Sequence, residues 1–201
     1  MDSNDLKRDA FFQVLAGSLA SDGLITAVLE DLPSADRIGI IEETLRRAHG
    51  SPPQPPEVQA LAAAYNHICE TGAAECAEMP GATDLLRTLG RDLPLHLNSA
   101  TPVEPLRRII ERRQWTGFFA SICGRPTSKL DNLRRIARSS GTPASHMVLV
   151  GDNGEDASAA REFGCAFVAV GSFARDDWPA TPYLTTLSVL PNWLANGNWF
   201  R

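Results

Sequence analysis

An α/β fold, with a parallel sheet covered by helices on both sides and a helical segment ahead of it, follows from three features of the sequence. After Met79-Pro80-Gly81, apolar runs of strand length alternate with helical periodicity, the pattern of successive βα units. Before about Leu93 no convincing strand occurs, so the first third reads as a small helical bundle. The third feature is Met147-Val148-Leu149-Val150-Gly151-Asp152, an apolar run that drives into a Gly-Asp pair, with a small-residue helix starting four positions later. Strand ends of this kind place a carboxylate at the carboxyl edge of a parallel sheet, where open α/β folds bind ligands.

Each element has its own signal. Leu6, Ala10 and Val14 recur at four-residue spacing with Phe11 and Leu15 alongside, which predicts a helix from residue 4 to about 19. A second helix is expected over Gly23–Leu32. A third should run from Ser34, as N-cap, to Ala48, with Gly50 as its stop. Ser51-Pro52-Pro53-Gln54-Pro55-Pro56 is a stiff connector that cannot continue a helix, and Glu57–Glu70 resumes one. Beyond Gly81 the expected order is helix Ala82–Leu89, strand Leu93–Asn98, helix Val103–Arg113 and strand Phe118–Cys123. Helix Ser128–Ser139, strand Met147–Val150, helix Asp156–Phe163 and strand Ala166–Val170 come next. A last edge strand is expected within Tyr183–Leu190, ahead of a short helical end at Trp193-Leu194. No internal repeat is present.

Composition narrows the function classes. Hydrophobic residues at 43% and charged residues at 21% are ordinary for a soluble globular protein. A net charge of −5 argues against a nucleic-acid binder, and the Arg pairs at 46–47, 107–108, 112–113 and 134–135 read as solvated helix faces. No apolar run reaches membrane-spanning length, and the N-terminus lacks the apolar core of a signal peptide, so no membrane partner and a cytoplasmic location are expected. Cys69, Cys76, Cys123 and Cys165 lack metal-ligand spacing and read as reduced thiols.

Three points expected along one sheet edge could carry chemistry. Ser99 and Ala100 follow the strand Leu95-His96-Leu97-Asn98, where a hydroxyl and turn N–H groups can hold a phosphate oxygen; the alternative is that Ser99 or Thr101 caps the next helix. Lys129 opens a helix, where a cation opposes the helix dipole and asks for a compensating anion. Asp152 and Asp156 are two close carboxylates, which need a cation, a basic side chain or N–H groups to compensate them, and they suit Mg²⁺. The alternative for Asp156 is a helix cap. His96 reads as a core histidine, and no Ser/His/Asp or Cys/His set emerges.

A strand ending in Ser, a Lys opening a helix, and Gly-Asp-x-x-x-Asp after a strand, in that order, resemble the haloacid dehalogenase-like (HAD) superfamily. In that pattern Ser99 matches the second motif, Lys129 the third, and Asp152 with Asp156 the fourth. Met79-Pro80-Gly81-Ala82-Thr83-Asp84-Leu85-Leu86 is similar to the segment that re-enters the core after a helical cap. The resemblance, to the phosphoglycolate phosphatase and β-phosphoglucomutase-like branch, implies a Rossmann-like core of residues 1–9 and 76–201 and a cap over residues 10–75. It implies a Mg²⁺-dependent phosphatase or hydrolase of a small phosphorylated metabolite, working through a phospho-aspartate. Ser99, Ala100 and Lys129 would bind the phosphoryl group, Asp152 the Mg²⁺, and Asp156 would orient Lys129 or complete the metal shell. Arg37 or other polar cap residues would read the leaving group, and a mutase or dehalogenase is a variant of the same reading.

The family's first motif, Asp-x-Asp-Gly-Thr/Val at the end of the central strand, supplies the nucleophile and the acid/base. No Asp-x-Asp pair occurs in this sequence; Met1-Asp2-Ser3-Asn4-Asp5-Leu6-Lys7 resembles the Leu-Val-Asp-Ser-like run that follows that motif. One expectation is a start placed too late, since Met1 falls where the family often has Val. The other is a short form without phosphatase chemistry, acting as a binding or regulatory protein. A core without its central strand is expected to expose two strand edges, with poor solubility or strand pairing as the result.

Overall fold

The computed structural model describes residues 4–33, 35–171 and 180–197. It divides into two compact units, one ending at Cys76 and one running from Ala77 onward.

The first unit holds four helices: α1 (Asn4–Leu15), α2 (Asp22–Asp31), α3 (Arg37–His49) and α4 (Pro55–Glu75). Their apolar stripes meet in one core built on Leu15, Ile25, Val28, Ile41 and Leu45, all fully buried. Phe11 and Tyr65 pack ring against ring there, with centroids 4.5 Å apart. Helix α1 packs with α2 and α4 in this unit. Helix α1 also stops at Leu15, four residues short of the expected end, because Ser18 turns back onto the Leu15 carbonyl. Ser34 lies outside the described residues; α3 is capped by Asp36, whose carboxylate accepts the Gly39 N–H at 2.9 Å. Gly50 ends α3 in the left-handed conformation, as expected. The proline connector is shorter than expected, since Pro55 and Pro56 open α4, where a missing N–H is harmless. The Arg37 Nε is buried and finds no partner among the described residues.

The second unit contains α5 (Ala82–Leu89), β1 (His96–Pro102), α6 (Val103–Arg112), β2 (Ser121–Arg125) and α7 (Lys129–Ser140). It continues with β3 (Val148–Gly151), α8 (Gly154–Phe163), β4 (Ala166–Val170), β5 (Tyr183–Leu184) and α9 (Leu190–Ala195). Among the described residues every strand pairing is parallel, which together with the helical connections makes the layout Rossmann-like. Strands β1 and β2 each start three residues later than the apolar runs suggest. Leu93 and Leu95 precede the β1 ladder, which pairs His96 with Ser121 and runs on to Pro102 opposite Arg125. The ladder is irregular between Asn98 and Pro102, so Ser99 and Ala100 sit inside the strand span on a stretch of broken pairing. The expected edge strand at 183–190 is confined to Tyr183–Leu184. Thr186 caps a 3-10 turn at Leu187–Val189 through the Ser188 N–H, and α9 follows.

Among the described residues the sheet is in two parts, β1–β2 and β3–β4–β5, and β1 and β3 are not paired with each other. Burial follows the split. Ala169 and Val170 of β4, paired on both sides, and Val168 before them are buried, whereas Val148, Leu149 and Val150 of β3 and Leu97 of β1 are half-buried. Helix α7 packs on β1 and β2 and also on α8, which packs on β3 and β4, so the helix pair joins the two parts.

Candidate active site

The helix-joining pair also carries the charged residues. Strand β3 ends at Gly151, and Asn153 caps α8 by accepting the Asp156 N–H at 3.1 Å. Asn153, not Asp156, is therefore the cap. This frees the Asp156 carboxylate to turn inward, where the residue is only 4% exposed. Gly151 makes that possible: a Cβ at 151 would lie 2.5 Å from the Asp156 Cβ and 2.6 Å from its Cγ.

Lys129 is the first residue of α7, behind the N-cap Ser128, and is 7% exposed. Its Nζ donates to Asp156 Oδ1 at 2.5 Å, which supplies the anion that a buried cation at a helix N-terminus requires. Burial pushes the Asp156 carboxyl above its ordinary range; the Lys129 charge and hydrogen bond work against this, as does the Asp152 N–H, while the Asp152 charge adds to it. A second brace acts on the main chain. Asn98 on β1 donates from Nδ2 to the Lys129 carbonyl at 2.8 Å, and its Oδ1 accepts from Asn132 Nδ2 at 3.0 Å. Asn132, one helical turn after Lys129, is fully buried.

Ser99 Oγ accepts the Thr101 N–H at 3.1 Å and does not cap the next helix; Pro102 is the N-cap of α6, without a side-chain cap bond. Ser99, Ala100 and Lys129 line one cavity of about 120 Å³, together with Arg125, Thr127 and Glu155. Asp156 lies against Lys129, and Asp152, half-buried beside Asn153 Nδ2 at 3.1 Å, follows at the end of β3 and is not among the lining residues. A larger cavity of about 680 Å³ lies along β2 between α6 and α7, around Arg107, Glu111, Ile122 and Arg135, and contains none of the residues expected to carry chemistry. His96 is half-buried and not in the core as expected: its Nδ1 lies 2.8 Å from Ser121 Oγ, and partial burial lowers its pKa.

Among the described residues no group of three or more His, Cys, Asp or Glu side chains converges to cage a metal. Mg²⁺ does not require such a cage, because it keeps several waters and takes one or two carboxylates plus substrate phosphate oxygens. The Asp152 carboxylate fits that mode of binding.

Residues 122–192 match the HAD-hydrolase-like family. No curated protein matches the sequence. Among solved structures, β-phosphoglucomutase from Clostridium difficile superposes with a TM-score of 0.73 at 13% identity, covering 98% of this chain and 91% of that one. CbbY from Rhodobacter sphaeroides, in complex with phosphate, gives 0.72 at 17% identity, with 94% and 90% covered. The HAD-hydrolase YfnB from Bacillus subtilis, bound to magnesium, gives 0.72 at 14% identity, with 97% and 93% covered. The family match thus covers the latter part of the α/β unit, and the solved structures, which include a predicted phosphoglycolate phosphatase from Haemophilus somnus, share the fold.

Proposed function

We propose that the cavity above Lys129 binds the phosphoryl group of a small phosphorylated metabolite, as part of a Mg²⁺-dependent HAD-like phosphatase. The observation that carries this reading is the buried Lys129–Asp156 pair, whose Lys129 lines a cavity together with Ser99 and Ala100. Lys129 Nζ and the Ser99 hydroxyl would hold phosphoryl oxygens, and Asp156 would fix the ammonium so that its charge is already in place as the transition state forms. Asp152 would hold Mg²⁺ together with water and phosphoryl oxygen. When bound, that ion supplies charge neutralisation at the transferring group. The family mechanism also calls for an aspartate nucleophile, and no Asp-x-Asp pair lies at a strand end in residues 1–201. The second reading is that the chain binds a phosphorylated ligand without turnover and acts as a binding or regulatory protein.

One assay separates the two readings. Residues 1–201 are incubated with a generic aryl phosphate and Mg²⁺, and phosphate release is measured. Release that stops on adding a chelator, and in Asp152→Ala, supports the hydrolase and rules out the binding protein. No release, with inorganic phosphate still bound in a Lys129-dependent manner, supports the binding protein. The same reading carries a cytoplasmic location and no nucleic-acid partner.

A further inference from the structure

Two charged residues of the cavity have no part in the reading above. Arg125 ends β2, and Glu155 stands in the first turn of α8; both line the cavity beside Ser99 and Lys129. Their nearest approach is 3.8 Å, from Arg125 Nη2 to Glu155 Oε1, beyond hydrogen-bond reach, and both side chains are about half exposed (51% and 47%). A pair with this separation and exposure is weak and readily exchanged. The backbone beneath Arg125 is fixed. A Cβ at Gly124 would meet the Thr101 carbonyl oxygen at 2.4 Å and the Val103 nitrogen at 2.9 Å, so the ends of β1 and β2 are in closest contact there. The guanidinium is thus a flexible fork on a rigid base, held at the cavity by a partner that satisfies little of its donor capacity.

We propose that Arg125 is an anion-binding residue of this cavity and that Glu155 is its resting counter-ion. An anion entering beside Lys129 takes the Arg125 guanidinium from Glu155, and the pair re-forms when the anion leaves. Glu155 therefore weakens anion binding by competing for one side chain. This inference rests on the phosphoryl-binding reading of the cavity.

Binding of inorganic phosphate to the full chain at constant ionic strength, followed by calorimetry, tests it. Losing a charge-assisted contact in Arg125→Gln is expected to weaken binding about tenfold. Arg125→Lys should recover part of that loss, since it keeps the charge without the fork. Glu155→Gln is expected to tighten binding several-fold, and the double variant should bind like Arg125→Gln alone. Tightening by Glu155→Gln that persists undiminished in the Arg125→Gln background would show a general charge effect and overturn the proposal. So would wild-type phosphate binding that Arg125→Gln leaves unchanged. If the wild-type chain binds no phosphate, the cavity reading itself fails, an outcome distinct from failure at Arg125.

Discussion

Lys129 and Asp156 are buried too deeply to be an ordinary surface ion pair, and each is the other's main compensation. Removing one partner of such a pair leaves an uncompensated charge, which typically costs about 3–5 kcal/mol. Lys129→Met is expected to lower unfolding stability by that order in urea titrations at neutral pH. The loss should shrink in acid. The folded-state pKa of Asp156 is raised by burial, so its contribution is fully present below the ordinary carboxyl range and is lost as pH rises through the folded value. Without Lys129 that penalty grows, and the variant should lose stability as pH rises above the ordinary carboxyl range. Glu43 on α3 works in the opposite sense. Hydrogen bonds from Arg46 and then Arg47 lower its pKa from 4.5 to about 2. Stability from Glu43 is therefore present above about pH 4.5 and disappears toward pH 2, and Glu43→Gln should flatten the acid limb of the melting curve over that window.

At the scale of elements, pairing decides exposure. Among the described residues strand β4 has neighbours on both sides, β3 is paired on one side, and β1 is paired only with β2. Amide hydrogens of Val168–Val170 are expected to exchange at least about tenfold more slowly than those of Val148–Val150, read by mass spectrometry or NMR. Equal protection across β3 and β4 would refute the assignment of an unpaired edge to β3. Order and type of elements were legible in the sequence because each carries a local signal: Ser128 and Gly141 bracket α7, and Ala166–Val170 is an unbroken apolar run. Strand registers were not legible. Leu93 and Leu95 are as apolar as the strand they precede, and only the pairing of His96 with Ser121 shows where the ladder begins. The charged residues of the site stood out because a Lys at a helix start and two close Asp residues are locally unfavourable. Asn98 and Asn132 gave no such sign; a buried amide bonded to a main-chain carbonyl 31 residues away reads in sequence as any loop asparagine. Arg125 and Glu155 were equally silent, since half-exposed charges are what any surface carries.

At the scale of the molecule, the helical unit has one contiguous buried cluster drawn from all four of its helices. A region with its own core is expected to fold by itself. A fragment of residues 1–76 should be helical by circular dichroism and melt cooperatively. A non-cooperative melt would mean that its core depends on the rest of the chain. Phosphate is expected to raise the midpoint of the α/β unit and leave that fragment unmoved, because a ligand stabilises only the part that binds it.

Gly151 has a wider consequence. Its lack of a side chain leaves room for the Asp156 carboxylate, and the position of that carboxylate sets where the Lys129 ammonium rests. A single methyl group at residue 151 would therefore act as a wedge, retuning the charge balance of a cavity whose wall it never reaches. The most visible letter of the Gly-Asp signature is a spacer: it records how closely a strand and a helix must approach, and the chemistry is carried by neighbours that approach holds in place.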